Sequence, residues 1–355
     1  MCSSDLASFC PACNEMDGPW QAGQKDAAEY GKVALEAAKM MKWTDPEIEL
    51  VVCGSSTYGM NTFGEWDATV LQYTYDFADY LSIHIYFGNG DNCTPYFLAL
   101  SDFMGRHIER IVATCDYVGA CKKNDRKIML SFDEWNVWFH SGGQEKNAPE
   151  WTVARAILQD IYTMEDALLV GGMLITLLNH ADRVKIACLA QSVNVIAPIM
   201  TEKDGSAWRQ TIFFPFALTS RYGRGTVLRQ VVESPEYDAE VSGNPLKLSG
   251  IKYLTGSIIY REEVGEITVF AVNRHLEQAM DLQVLLEDFQ PEAVIEWQSM
   301  HHADLKGVNG PKHEHIRPEA TEGARLDGQL LTATLPAASW NMIRVKLEPT
   351  GKKTD

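Results

Sequence analysis

Between residues 24 and 178 the chain alternates helix-like stretches with short runs that are mostly apolar on both faces, and this rhythm constrains the fold more than any other feature. A strand that is apolar on both faces has to be covered on both, which parallel sheets flanked by helices provide. The spacing predicts helices over 24–42, 65–79, 98–119 and 151–168, and strands over 49–54, 81–86, 127–133 and 171–178. Polar and aromatic residues gather at or just after the run ends, at Gly54-Ser55-Ser56, His84 to Asn89, Glu134 to Trp138 and Asn179 to Asp182. In an eight-stranded βα barrel that is the face on which active sites form, so the pattern points to an enzyme.

A helix is predicted around 208–221, and after it the texture changes. Alternating or β-branched runs at 225–232, 257–260, 267–272, 280–285 and 330–335 predict a β-sandwich, and the polar segment 301–325 reads as a solvated loop. At 355 residues the chain has room for a barrel-sized domain and a smaller one.

The net charge of -17 repels phosphate backbones and anionic membrane surfaces, so neither nucleic acid nor membrane is an expected partner, while a neutral sugar meets no repulsion. No apolar run reaches the roughly 18 residues of a membrane span, and the N-terminus shows no basic-then-apolar leader. The 8 cysteines at irregular spacing read as thiols of a cytoplasmic protein.

Glu134 lies in Ser131-Phe132-Asp133-Glu134-Trp135-Asn136-Val137-Trp138, directly after an apolar run. Desolvating acids at the end of a buried strand is costly, which favours a working carboxylate over a structural pair. The neighbouring indoles, Trp138 among them, suit the C–H face of a sugar ring. Glu15 lies in Asn14-Glu15-Met16-Asp17-Gly18-Pro19-Trp20-Gln21, where a carboxyl group would serve as general acid while the Asn14 amide holds a sugar hydroxyl. On its own that dipeptide reads more readily as surface loop. About 120 residues, or three βα units, separate the two glutamates. Carboxyl groups about 5–5.5 Å apart mark a retaining glycosidase and about 6.5–9.5 Å an inverting one.

His84 and Tyr86 alternate on one face of the run Ile83 to Phe87, either as a hydrogen-bonding pair or as packed core residues. Gln191, in a run with helical spacing, is open in the same way. Cys10-Pro11-Ala12-Cys13 matches the C-x-x-C pattern of redox pairs and zinc half-sites, but no second pair stands at zinc spacing. His301, His302, His313 and His315 lie nearly 300 residues away in sequence, so neither a metal nor a redox site is expected.

Taken together these residues resemble glycoside hydrolase family 51, the α-L-arabinofuranosidases, over nearly the whole chain from Asn14 onward. The matching blocks are Asn14 to Gln21, Cys53 to Ser56, His84 with Tyr86 to Asn89, Phe132 to Trp138, Leu178 to Arg183 and Ala190 to Ile199. The resemblance implies a partial TIM (β/α)8 barrel from about strand 4 onward, residues 1–205, followed by a C-terminal all-β sandwich, residues 206–355. It implies Glu15 as acid/base after the fourth barrel strand and Glu134 as nucleophile after the seventh. Asn14, His84, Tyr86, Trp138 and Gln191 are the implied substrate-binding residues, with His84 near the nucleophile.

The implied reaction is exo-acting double displacement, releasing terminal non-reducing α-L-arabinofuranosyl residues from arabinose-containing oligo- and polysaccharides. It needs neither cofactor nor metal, and the full-length enzymes admit a homo-oligomer. Family members carry a sandwich strand and the first barrel strands before the Asn-Glu motif, whereas 13 residues precede Asn14 here. Met1 to Leu6 read like a translated linker, and Cys13 stands where the family usually has glycine. The chain therefore reads as the C-terminal part of a longer enzyme. Weak or no activity is expected, because a barrel short of strands leaves sheet edges open.

Two other readings stand beside this one. One is another retaining glycosidase, a xylosidase or endoglucanase, which a panel of aryl glycosides would separate. The other is a non-catalytic sugar-binding fragment, which calorimetry beside a kinetic assay would separate.

Overall fold

The computed structural model describes residues 14–142, 151–153, 155 and 157–349. Cys10 and Cys13 lie outside the described residues. Contacts divide the chain into two compact units. One holds the described residues of Met1–Tyr86, Met104–Asn136 and His180–Ala190, the other those of Phe87–Phe103, Val137–Asn179 and Gln191–Asp355.

The first unit is built on βα repeats. Strands β1 (Val51–Cys53), β2 (Tyr80–Phe87), β3 (Met129–Val137) and β4 (Val184–Leu189) form one sheet in that order, with β1 parallel to β2 and β3 parallel to β4. Helix α1 (Ala27–Thr44) precedes β1, α2 (Glu65–Thr74) follows it, and α3 (Thr94–Lys122) leads into β3. Helix α1 begins at a capping box in which the Asp26 carboxylate accepts the Glu29 N–H at 2.7 Å and the Glu29 carboxylate accepts the Asp26 N–H at 3.4 Å.

Two local features of this sheet set the site. Leu81, Ile83, Ile85 and Phe87 of β2 are buried on one face, so the period of two leaves Ser82, His84 and Tyr86 on the other. Gly54, just past β1, donates its N–H to Ser82 O at 3.1 Å, and a Cβ there would sit 2.2 Å from that oxygen. Glycine is what permits so close an approach of the two backbones.

In the second unit every residue of helix α4 (Met164–Asn179) from Met164 to Leu177 is buried. Thr163 caps this helix, its N–H donating to Asp166 Oδ2 at 2.7 Å while its Oγ accepts the Asp166 N–H at 3.4 Å. A six-stranded sheet, ordered Glu319–Ala320, Pro291–Met300, Ser339–Leu347, Glu266–Asn273, Leu254–Arg261, Thr226–Leu228, accompanies a three-stranded one of Met280–Leu285, Leu330–Leu335 and Arg325–Asp327. Ile267, Val269, Leu282, Leu331, Ile343 and Val345 belong to one apolar core there.

The expected class is present, a parallel βα part followed by an all-β part, but several local expectations are corrected. Residues 171–178 are helix rather than strand: a helix buried all round loses the polar face that would reveal its period. The strand lies later, at β4. The helix expected over 151–168 starts only at Met164, where Thr163 supplies the cap. Gln191 is in irregular chain, and the helix predicted around 208–221 is present as α5 (Phe213–Tyr222), with a short strand, Ala207–Arg209, where its first residues were expected. Within 301–325, Asn309 and Ile316 are buried, held by reciprocal hydrogen bonds of 2.9 and 3.0 Å, so that loop is not solvated throughout. Among the described residues no helix is long and apolar enough to cross a membrane.

Replacing Gly54 by alanine forces the Ser82 carbonyl away from β1. Gly54→Ala is expected to lower stability by about 1–3 kcal/mol, read as a reduced urea midpoint at unchanged slope; an unchanged midpoint would contradict the packing described.

Candidate active site

Glu15 sits in a turn where its backbone is left-handed, with φ at 50°, a conformation that costs a non-glycine residue about 1–2 kcal/mol. Such strain persists where the surroundings over-determine it. The Gly18 N–H closes the turn on Glu15 O at 2.8 Å, and buried Met16 anchors it. The Asp17 carboxylate accepts the Ser56 N–H at 3.1 Å, tying the turn to the segment after β1. The Trp20 indole lies over Gly18, where a Cβ would meet it at 2.4 Å, and from there its Nε1–H donates to Glu15 Oε2 at 2.6 Å.

From β2, buried His84 reaches both sides of the site. Its Nδ1 lies 3.1 Å from Glu15 Oε1 and 3.8 Å from Glu134 Oε2, and its Nε2 lies 3.1 Å from Asp133 Oδ1. Ionised carboxylates only accept, so both ring nitrogens donate and the ring is an imidazolium. Tyr86, two residues on, donates its hydroxyl to Glu134 Oε2 at 2.9 Å. Asp133 also accepts the Ser82 hydroxyl at 2.7 Å and the Ser131 hydroxyl at 3.0 Å.

Neighbouring residues of a regular strand face opposite ways, yet Asp133 and Glu134 both contact His84. The pairing of β3 with β4 shifts register between Phe132 and Trp135. That irregularity falls on the two acids and re-aims their side chains, as bulges beside active sites do.

The charges follow from these contacts. Burial pushes the His84 imidazole down, but hydrogen bonds to Asp133 and Glu15 and the charges of Glu134 and Asp133 raise it to about 10. Burial pushes Glu15 up, and the hydrogen bonds from His84 and Trp20 outweigh it, leaving its carboxyl below the ordinary glutamate value. Burial and the Glu134 carboxylate hold the Tyr86 hydroxyl firmly protonated. One oxygen each of Glu15 and Glu134 and a ring nitrogen of His84 lie within 4.8 Å of one another. The same three groups could ligate a cation only after His84 released its Nδ1 proton.

The structure thus brings together Glu15, His84, Tyr86 and Glu134 from the residues singled out in the sequence. Asn14 is exposed beside Glu15. Trp138 and Gln191 belong to the second unit, where Trp138 is 43% exposed with its Nε1–H donating to Ser141 Oγ at 3.3 Å, and Gln191 is exposed. Sequence reasoning passed over Asp133, Ser82, Ser131 and Trp20 as members of the cluster. The signal for Ser82 was its place two residues before His84 on the same strand face.

The model of the α-L-arabinofuranosidase C-terminal domain matches residues 133–339. The intracellular exo-α-(1→5)-L-arabinofuranosidase of Halalkalibacterium halodurans is 51% identical over 94% of this chain and 65% of its own length. The intracellular exo-α-(1→5)-L-arabinofuranosidase 1 of Bacillus subtilis is 49% identical over the same shares, 94% and 65%. A solved family 51 α-L-arabinofuranosidase from Bifidobacterium longum superposes with a TM-score of 0.84 at 35% identity, over 94% of this chain and 66% of that one. The chain therefore spans about 65% of the length of the curated relatives it matches.

Because the folded state holds the His84 proton that the unfolded chain releases near 6.5, this stabilisation is complete below pH 6.5 and is lost as pH rises through about 10. NMR of the imidazole resonances should show His84 still charged at pH 8. Titration near 6.5 would contradict the described contacts.

Proposed function

The chain belongs to glycoside hydrolase family 51, the α-L-arabinofuranosidases, and on that premise we propose that it carries the catalytic carboxylates of a retaining exo-α-L-arabinofuranosidase acting by double displacement, with turnover weakened in a chain that spans about 65% of the length of its relatives. The observation that carries this reading is the pair of carboxylates with oxygens within 4.8 Å of one another. That falls with the short separation of retaining enzymes, since an inverting pair needs room for water, about 6.5–9.5 Å. The substrate is a terminal α-L-arabinofuranosyl group on an oligo- or polysaccharide, and the cytoplasm follows the intracellular relatives. On this reading residues 1–205 carry the catalytic part and residues 206–355 the accompanying sandwich.

Glu134 is the nucleophile. The Tyr86 hydroxyl at 2.9 Å holds one of its oxygens and leaves the other for the anomeric carbon. Glu15 is the acid/base, and the proton it delivers to the leaving oxygen rests beforehand on His84 Nδ1, 3.1 Å away. The Glu134 charge within 4.8 Å offsets part of the pull of His84 and so eases the passage of that proton onto Glu15 as the leaving oxygen departs. When Glu134 becomes a glycosyl ester that charge disappears, so Glu15 then holds its own proton less tightly and activates water for the second step. Asn14, Trp138 and Gln191 are proposed as further substrate contacts.

Azide separates the two roles. Glu134→Ala should lose turnover by several orders of magnitude, and azide should restore cleavage of an aryl α-L-arabinofuranoside with inversion, yielding the β-azide. Glu15→Ala should still form the ester from substrates with good leaving groups, and azide should give the α-azide. Failure of azide to rescue Glu134→Ala, or the opposite pairing of products, would overturn the assignment.

A further inference from the structure

Asp133 stands beside the proposed nucleophile in β3. Its carboxylate receives three hydrogen bonds, from Ser82 Oγ at 2.7 Å, Ser131 Oγ at 3.0 Å and His84 Nε2 at 3.1 Å. The two hydroxyls come from different strands, β2 and β3, so they fix the carboxylate relative to both. A carboxylate held in this way dictates the orientation of the imidazole it accepts from, because only one ring angle keeps Nε2–H on it. With Nε2 engaged, the opposite ring nitrogen is delivered to Glu15 Oε1 at 3.1 Å.

We infer that Asp133 is a positioning residue, which with Ser82 and Ser131 locks the His84 ring so that its Nδ1–H is presented to Glu15. This rests on the reading of Glu15 as acid/base, and it accounts for a charged residue next to the nucleophile that the double displacement itself leaves without a task. Asp133 acts through the proton on His84 Nδ1. The titratable groups that face His84 are Glu15, from the turn before α1, Asp133 and Glu134, from β3, and Tyr86, from β2, which reaches it through Glu134, while Asp17 adds its charge behind Glu15. Of these, Asp133 is the carboxylate bound to the ring nitrogen remote from Glu15.

Asp133→Asn keeps the size and hydrogen-bonding capacity of the side chain and removes its charge. In the full chain labelled with 15N-histidine, this variant should move the His84 titration to lower pH by more than one unit. In the same variant kcat on an aryl α-L-arabinofuranoside should fall by about 10- to 100-fold, the loss typical when an outer partner of an oriented histidine is removed. KM should change less than about threefold, and the alkaline limb of the pH–rate profile should move to lower pH. Ser131→Ala, a milder change, should shift the His84 titration and kcat in the same directions by smaller amounts and guards against a variant that does not fold.

An unchanged His84 titration in both variants overturns the positioning role. A shifted titration with unchanged kcat shows that the lock exists and does not serve catalysis, which equally overturns it. If the unsubstituted chain cleaves no arabinofuranoside even on long incubation with an activated leaving group, the proposed function falls, and the NMR titration still decides whether Asp133 governs His84.

Discussion

A buried imidazolium surrounded by three carboxylates is the interaction on which the site depends. His84 contacts Glu15, Asp133 and Glu134, at 3.1, 3.1 and 3.8 Å. Without it, acids this close would repel one another in a partly desolvated cleft, and one of them would have to take up a proton. Burying the cation would be equally unfavourable without the acids. Each charge is tolerable only because of the others, so the arrangement forms as a whole or not at all.

The backbone bears the cost of bringing these groups together. Glu15 adopts a left-handed conformation at φ 50°, β3 slips register at Asp133 and Glu134, and Gly54 lets β1 approach β2 within a distance that a Cβ would forbid. These departures from regular geometry lie within β3, just past β1 and in the turn that carries Glu15. The sheet beneath is apolar, with Leu81, Ile83 and Phe132 almost fully buried. A rigid, well-packed sheet is what allows strain to persist at its rim.

Much of this was legible in the amino-acid order. Short apolar runs exposed β1, β2 and β3, and period-two alternation placed His84 and Tyr86 together on one face. The cost of desolvating an acid beside a buried strand singled out Glu134, although the strand expected to end at 133 runs on to Val137 and holds Glu134 inside it. Glu15 was a weaker signal, because its position rests on a turn conformation that side-chain pattern does not encode. Helix α4 was mistaken for a strand because burial on every side erases helical periodicity. Asp133 escaped for a different reason: strand alternation assigns it to the face opposite Glu134, and the register shift that cancels this rule arises from pairing with β4. Trp20 reaches Glu15 by folding across Gly18, a contact within one turn that composition does not reveal.

The account stands on a covalent step at Glu134 with Glu15 serving as acid and then base. The most direct measurement is the intact mass and peptide map of the chain after incubation with a 2-fluoro arabinofuranosyl donor bearing an activated leaving group, which forms the ester but slows its hydrolysis. One added fluoro-sugar per chain is expected, carried by the Glu134 carboxylate. A stable label on a different residue, or hydrolysis of arabinofuranosides by a chain that never acquires the label, would contradict it.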